Sequence, residues 1–304
     1  MHARIFTGNN KKTIIHSRQV LLGSLIAALA LCLPLNNIAA FAAEKPTADT
    51  KLLVGAASVS ITPDKPVALA GQMHLRVSKK VESPVTANVV VLESRRGDRT
   101  LDVAVMVSCD LVIIEPQVLE ATRRAVHERL PDLDTKKIFL SATHTHTGPV
   151  TRPGIYKIPA TGVTKVEEYH EFFAERVAEA VEKAWKTRAA GGVSWGLGHA
   201  VVALNRRSVY ADGSARMYGP THVANFRRIE GPEDHGIEVL FFWDKNKKLI
   251  ATAVNVACPS QEVESRRAVN ADFWHEVREK LREQYGKDLV VLGWCGAAGD
   301  QSPH

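Results

Sequence analysis

The sequence predicts an α/β fold, a mixed β-sheet core with flanking helices. Three observations carry that expectation. Runs of strand length rich in β-branched residues recur along the chain. Stretches with helical apolar spacing are interleaved with them. A composition of 45% hydrophobic and 24% charged residues over 304 positions is that of a globular protein. The chain is long enough to bury a sizeable core, and it shows neither a heptad run nor an internal repeat.

In chain order, residues 86–92 (TANVVVL) and 101–111 (LDVAVMVSCDL) are β-branched runs separated by Arg96-Gly97-Asp98, which predicts a hairpin or neighbouring strands. Residues 116–130 open on Pro116 and place Val118, Leu119, Val126 and Leu130 on one face, the pattern of a helix. Residues 137–142 form the next strand. Thr164 and Glu167 stand in capping-box spacing, and the helix they open turns Val166, Phe173, Val177, Val181 and Ala184 to the core. Strands are expected at 191–204, 237–242 and 249–257. Residues 270–285 read as a helix ended by Gly286, with Phe273, Val277, Leu281 and Tyr285 along its apolar stripe, and 289–292 as a last buried strand.

Residues 1–18 are polar and basic, and 20–35 (VLLGSLIAALALCLPL) are almost wholly apolar but short for a membrane span. Ala40-Phe41-Ala42 then offers small residues at both key positions of a cleavage site. That order predicts a secretory signal peptide over 1–42, cleavage near Ala42, and export. Residues 43–51 are then a linker, and 52–304 one globular region. Bulky Leu31 before Cys32 argues against lipoprotein processing. The leader holds four of the 39 basic residues and none of the 33 acidic ones, so the remainder is near neutral, 35 against 33. That balance gives no argument for a nucleic-acid partner. The remainder also holds only Cys109, Cys258 and Cys295, with no CxxC pair, which is no disulfide framework.

Chemistry-bearing residues concentrate in three places. Residues 141–149 (SATHTHTGP) follow an apolar strand and close on Gly-Pro. In extended chain side chains alternate, so His144 and His146 are expected on one side. Two imidazoles there can share a metal, can divide metal binding and proton transfer between them, or can simply hydrogen-bond the neighbouring threonines, and the spacing alone is not diagnostic. Asp110 ends the neighbouring strand and is a candidate for the same cleft. Residues 296–304 (GAAGDQSPH) follow a buried strand; their small residues let backbone approach a ligand, with Asp300, Ser302 and His304 as candidates to serve a site, the alternative being an ordinary Gly-rich loop. Residues 270–275 (NADFWH) set Asp272 and His275 three apart at a helix start, on one face. Asp272 is equally suited to favour the helix N-terminus.

Taken in order, GAASVSITP at 55–63, GQMHLR at 71–76 with its His74, VSCDL at 107–111, THTHTGP at 143–149, Asn205-Arg206 and GDQSP at 299–303 resemble the N-terminal catalytic region of the neutral/alkaline (non-lysosomal) ceramidase family. THTHTGP and GDxSPx are the most specific elements, and the likeness runs from about Gly55 to the last residue. It implies a zinc-dependent hydrolase that cleaves the amide bond of ceramide to sphingosine and a fatty acid, acting on a lipid-like amide at a membrane surface. By position, His144 matches a zinc ligand and His146 the histidine beside the nucleophile that helps proton transfer. Arg206 matches an arginine that contacts substrate, and Ser302 the nucleophile. Two routes stay open: a metal that polarises the carbonyl or supplies hydroxide, and a serine that attacks directly beside its histidine.

Two departures from the family pattern matter. The family's second zinc histidine falls in a segment like 256–261 (VACPSQ), where Pro259 takes its place. Cys258 as thiolate, Glu262 or His275 are the candidate replacements. The remaining ligands, a glutamate and a tyrosine, lie beyond GDxSPx, so the resemblance implies an incomplete catalytic domain. Two rivals to a ceramidase-like enzyme follow: a metal-dependent hydrolase of another amide or ester on the same fold, and an inactive binding protein.

Overall fold

The computed structural model describes residues 49–303; the expected leader, most of the expected linker and His304 lie outside the described residues. The strands are β1 (Thr50–Ser60), β2 (Ala68–Leu69), β3 (Arg76–Val77), β4 (Thr86–Arg96), β5 (Arg99–Cys109), β6 (Ile138–Ala142), β7 (Ala189–His199), β8 (Leu204–Asn205), β9 (Arg207–Tyr210), β10 (Ala215–Met217), β11 (Phe226–Ile229), β12 (Gly236–Asp244), β13 (Leu249–Val256), β14 (Val290–Cys295) and β15 (Gln301–Ser302). The helices are α1 (Pro116–Arg129), α2 (Val166–Thr187) and α3 (Phe273–Tyr285). β1 therefore begins inside the expected linker. Among the described residues no helix is long and apolar enough to cross a membrane.

Eight strands form one mixed sheet in the order β14-β13-β12-β7-β1-β4-β5-β6. β5–β6 and β13–β14 are parallel, each joined through a helix as a parallel crossover requires, and the other pairs are antiparallel. The hairpin expected from 86–111 is β4–β5, with Ala87 opposite Cys109 and Arg96 opposite Arg99 across a turn at Gly97, where φ is 57°.

The sheet folds over on itself. Val54 and Val90 of one half meet Phe242, Ala251, Ala253, Val290 and Leu292 of the other in a single buried cluster. Ser108 on β5 stitches the halves together. Its hydroxyl donates to the Gly293 carbonyl at 2.6 Å and accepts the Gly293 N–H at 3.1 Å. On the outer face of the β4–β5 half, Val89, Val91, Val105 and Val107 pack against Val118 and Val126 of α1 and Phe173 and Val177 of α2. On the outer face of β14, Trp274 of α3 lies so close to Gly293 that a Cβ there would come within 2.5 Å of the indole. The layers run helix, sheet, sheet, helix.

Three local expectations are corrected. Thr164 does not cap α2. Its backbone is held extended, its N–H bound to Pro66 O at 2.8 Å, and Lys165 takes the cap position with no side-chain bond. The acids of the first turn, Glu167 and Glu168, meet the helix dipole instead. The strand expected at 191–204 ends at His199. The helix expected from residue 270 starts at Phe273, because Asp272 sits at φ 56° and ψ −150°, outside the helical region. Phe273, Val277 and Leu281 of the expected stripe pack partly buried against the core, Tyr285 at its end is exposed, and the fully buried residues of α3 are Trp274 and Arg278. Arg278 turns inward because Asp110 lies opposite, bonded at 2.6 and 2.9 Å.

Candidate active site

β5 and β6 end side by side, Cys109 opposite Ala142. Beyond them Thr143 N–H binds Cys109 O and Thr145 N–H binds Leu111 O. Between these anchors His144 takes a left-handed φ of 62°, a conformation that costs a residue with a β-carbon about 1–3 kcal/mol and must be enforced by its surroundings. The surroundings are visible. Thr143, Thr145 and Thr147 are fully buried, and Thr145 and Thr147 donate to the Asn270 carbonyl at 3.2 and 2.7 Å. The bend brings the two imidazoles together, Nε2 to Nε2 at 3.3 Å and ring centroids 5.0 Å apart. It is this bend, and not the alternation of an extended strand, that makes them meet.

Their partners fix the tautomers. His144 Nδ1 lies 2.8 Å from Val112 O. A carbonyl only accepts, so Nδ1 carries the proton and Nε2 keeps a lone pair. His146 Nδ1 lies 3.0 Å from the Glu264 carboxylate, which likewise takes its N–H. The amide nitrogen of Gln261 then donates to His146 Nε2 at 2.7 Å. Both imidazoles are held neutral. Burial pushes His144 below the ordinary range, with the nearby Arg206 cation adding to it. His146 is pushed down to about 3 by burial first, then by His144, Arg76 and Arg206.

From Gln261 a hydrogen-bonded chain leads to the C-terminal segment. Pairing of β8 with β15 sets Asn205 opposite Gln301 and Leu204 opposite Ser302. Arg206 follows directly, its guanidinium donating to Gln261 Oε1 (3.3 Å), Tyr218 Oη (3.0 Å) and Gly299 O (2.9 Å). The Tyr218 hydroxyl donates to Ser302 Oγ at 3.3 Å. Tyr218 itself sits at a φ of 51°, a second strained residue in the same cluster. His146, Gln261, Arg206, Tyr218 and Ser302 thus form one continuous hydrogen-bonded chain, and His144 meets it at His146 through two facing Nε2 lone pairs, a contact without a donor. Asp300 supports it from below, accepting from Asn205 Nδ2 and Gln301 Nε2, both at 2.8 Å.

Other candidates fall elsewhere. Asp110 is fully buried, and Arg278, Thr86 and Thr143 occupy its oxygens, so it braces the loop before His144 and does not open onto the cleft. Asp272 caps α3 and accepts the N–H groups of Glu262 and Val263, shaping the loop that presents Gln261 and Glu264. Cys258 is packed with Ala203, Val256 and Trp274, donates weakly to Val202 O, and has its thiol pushed up to about 12 by burial, which is poor ground for a thiolate ligand. His74 is exposed and His275 half-buried; among the described residues neither side chain joins the polar chain. Of the acids after Pro259, it is Glu264 and not Glu262 that reaches His146. Glu264, Gln261, Tyr218 and Arg76 escaped the sequence reading.

A cavity of about 260 Å³ opens in front of the two rings, walled by Ala70, Val112, Val150, Ile155 and Tyr156. Met73 stands fully exposed at its rim. The fit of a zinc ion can be tested on these groups. The two Nε2 atoms have a spacing compatible with shared tetrahedral ligation, but Gln261 already fills the lone pair on His146, and no group of three His, Cys, Asp or Glu among the described residues can hold a metal. A catalytic zinc takes three protein ligands. The described residues alone do not complete one.

No protein-family model and no curated protein matches the chain. Solved structures do. A neutral ceramidase from Pseudomonas aeruginosa superposes with a TM-score of 0.68 at 18% identity, over 84% of this chain and 40% of that one. A ceramidase complexed with C2 gives 0.66 at 18% identity, over 84% and 39%. The chain therefore shares a fold with these ceramidases and spans about two-fifths of their length.

Proposed function

We propose that this chain is an exported hydrolase of a C–N amide bond whose substrate is an N-acylated lipid of the ceramide type. The observation that carries the reading is the meeting of an oriented imidazole pair with an apolar cavity. Glu264 holds His146 at Nδ1, and Ala70, Val112, Val150 and Ile155 wall the space before the rings. The shared fold with two ceramidases supports the same reaction class. Met73 at the rim supports docking on a lipid surface, and the basic and apolar leader supports export.

In this reading Ser302 supplies the attacking hydroxyl. Its oxygen bonds to the amide carbonyl carbon while its proton passes to His146 Nε2. The C–N bond then breaks and that proton goes to the departing amine; water releases the fatty acid from the serine by the same path. Nε2 of the neutral His146 is the accepting atom, and Gln261, which occupies it in the free chain, must yield it when substrate enters. Arg206, held by Gln261 and Gly299, is the cation that would stabilise charge developing on the carbonyl oxygen. The test is a panel of ceramides, N-acyl amino acids and aryl esters, with the released amine or alcohol quantified. Amine release from ceramides that falls at least ~100-fold in His146→Ala and in Ser302→Ala supports the reading. Cleavage of soluble amides or esters with no release from any N-acyl lipid overturns it.

A further inference from the structure

We propose that Arg76 is the positioning residue of the His146–Glu264 pair, a buried guanidinium that clamps the three segments from which the pair and its cavity are built. Arg76 is 2% exposed. One terminal nitrogen donates to the main-chain carbonyls of Ala70 and His146. The other donates to those of Glu264 at 2.6 Å and Arg266 at 2.8 Å. No carboxylate takes part in these bonds. A cation at this depth, hydrogen-bonded to carbonyls with its Nε unpartnered and the Glu264 carboxylate acting on it only through space, costs stability relative to an apolar filling of the same space.

What the arrangement supplies is geometry. The carbonyls at 146 and at 264 are pinned to one rigid planar fork, which fixes both ends of the Nδ1 to Oε2 contact, 3.0 Å long. The third segment is held with them. Ala70 precedes Gly71, whose backbone lies so near the His146 ring that a Cβ there would come within 2.3 Å of it. Arg76 thus sets the height of the imidazole against the cavity wall as well as its distance from Glu264. A lysine has one nitrogen and cannot span carbonyl pairs that a guanidinium bridges from two.

The role in turnover rests on the reading of His146 as the proton-carrying group, so the experiment has two arms. In the first, the full chain is labelled with 15N-histidine, and the downfield Nδ1–H resonance of His146, identified by its loss in His146→Gln, is followed in Arg76→Lys. The variant is expected to keep its circular dichroism and unfold cooperatively while losing that resonance, whereas Arg206→Lys keeps it. In the second, ceramide turnover by Arg76→Lys is expected to drop about 100-fold in kcat with KM changed less than about threefold. Arg76→Met serves as the harsher variant; Arg76→Lys keeps the test open should that one fail to fold. A folded Arg76→Lys that retains the resonance overturns the proposal, whatever the chain turns over. A wild-type chain that cleaves no amide lipid removes the proposed function and leaves the resonance to decide on Arg76.

Discussion

Removing the charge of Asp110 is expected to unfold this protein far more readily than it disables its chemistry. The Asp110 carboxylate is 0% exposed and accepts two bonds from Arg278, at 2.6 and 2.9 Å, together with the Thr86 N–H at 2.8 Å and hydroxyls of Thr86 and Thr143. Asp110→Asn keeps the shape but offers Arg278 an NH2 group where it needs an oxygen, and leaves a buried guanidinium without its anion. Breaking one partner of such a pair costs about 3–5 kcal/mol, a large part of the ~5–15 kcal/mol that holds a domain folded. Arg278→Met strands the carboxylate and costs a similar amount. In the double variant neither charge is left alone, so the two effects should fall short of additivity by about 2–3 kcal/mol. Urea unfolding of the wild type, both single variants and the double variant measures this directly. Turnover separates the two roles: at a temperature where Asp110→Asn stays folded, kcat should fall less than about tenfold, against the ~100-fold or more expected for a general acid or base. A single variant within about 1 kcal/mol of wild type, or strict additivity, refutes the account of Asp110 as a brace.

Gly71→Ala should lose about 100-fold in turnover with a modest loss of stability, because the added Cβ would meet the His146 ring at 2.3 Å on a backbone already at a φ of 95°; kinetics beside a thermal melt would show it. Acid should destabilise the fold through His146. Between its unfolded pKa of 6.5 and its folded value of about 3, the unfolded chain binds a proton that the native one refuses, so stability is full above 6.5 and declines as pH falls toward 3. The slope approaches about 1.4 kcal/mol per pH unit, and His146→Gln should flatten it in urea titrations at stepped pH. Equilibrium dialysis of the 304-residue chain against zinc should give well under one equivalent, and Cys258→Ala should leave that figure unchanged, since the thiol is buried and engaged with the carbonyls of Val202 and Pro259; full occupancy, or its loss in Cys258→Ala, would show the ligand account wrong.

How much of the fold could be read from sequence follows from how local each element's causes are. The β4–β5 hairpin was legible because its strands are β-branched and its turn joins neighbours in the chain. β1 was not. Its middle is Gly55-Ala56-Ala57-Ser58, without alternation, and small residues stand there for a tertiary reason: a Cβ on Gly55 would lie 2.0 Å from the Ala184 carbonyl of α2. The burial of Arg278 on α3 was missed for a related reason. Sequence spacing excludes a charged residue from a buried stripe, yet Arg278 is buried because its counter-ion lies 168 residues upstream. Thr164 and Glu167 had the right spacing for a cap, and the pairing of Val67 with Thr164 took that backbone for other use.

The site divides along the same line. His144 and His146 announce themselves in the sequence as two imidazoles two residues apart, although the bend that makes them meet is enforced by bonds to Cys109, Leu111 and Asn270. What makes them chemically specific comes from afar and from residue types that carry no signal alone. Gln261 is a neutral amide, and only its placement 115 positions from His146 turns it into the group that holds Nε2. Glu264 is one of several acids after Pro259; the loop braced by Asp272 decides that it and not Glu262 faces Nδ1. Tyr218 reaches Ser302 across 84 residues from a left-handed backbone that no propensity scale would favour. Arg76 binds only carbonyls, which every residue possesses, so nothing in the identity of its partners could betray it. The reactive groups are thus encoded locally and their orientation is encoded by tertiary contacts. It follows that substitutions at Gln261, Glu264 or Arg76 should change how His146 presents its lone pair while leaving the imidazole pair itself in place.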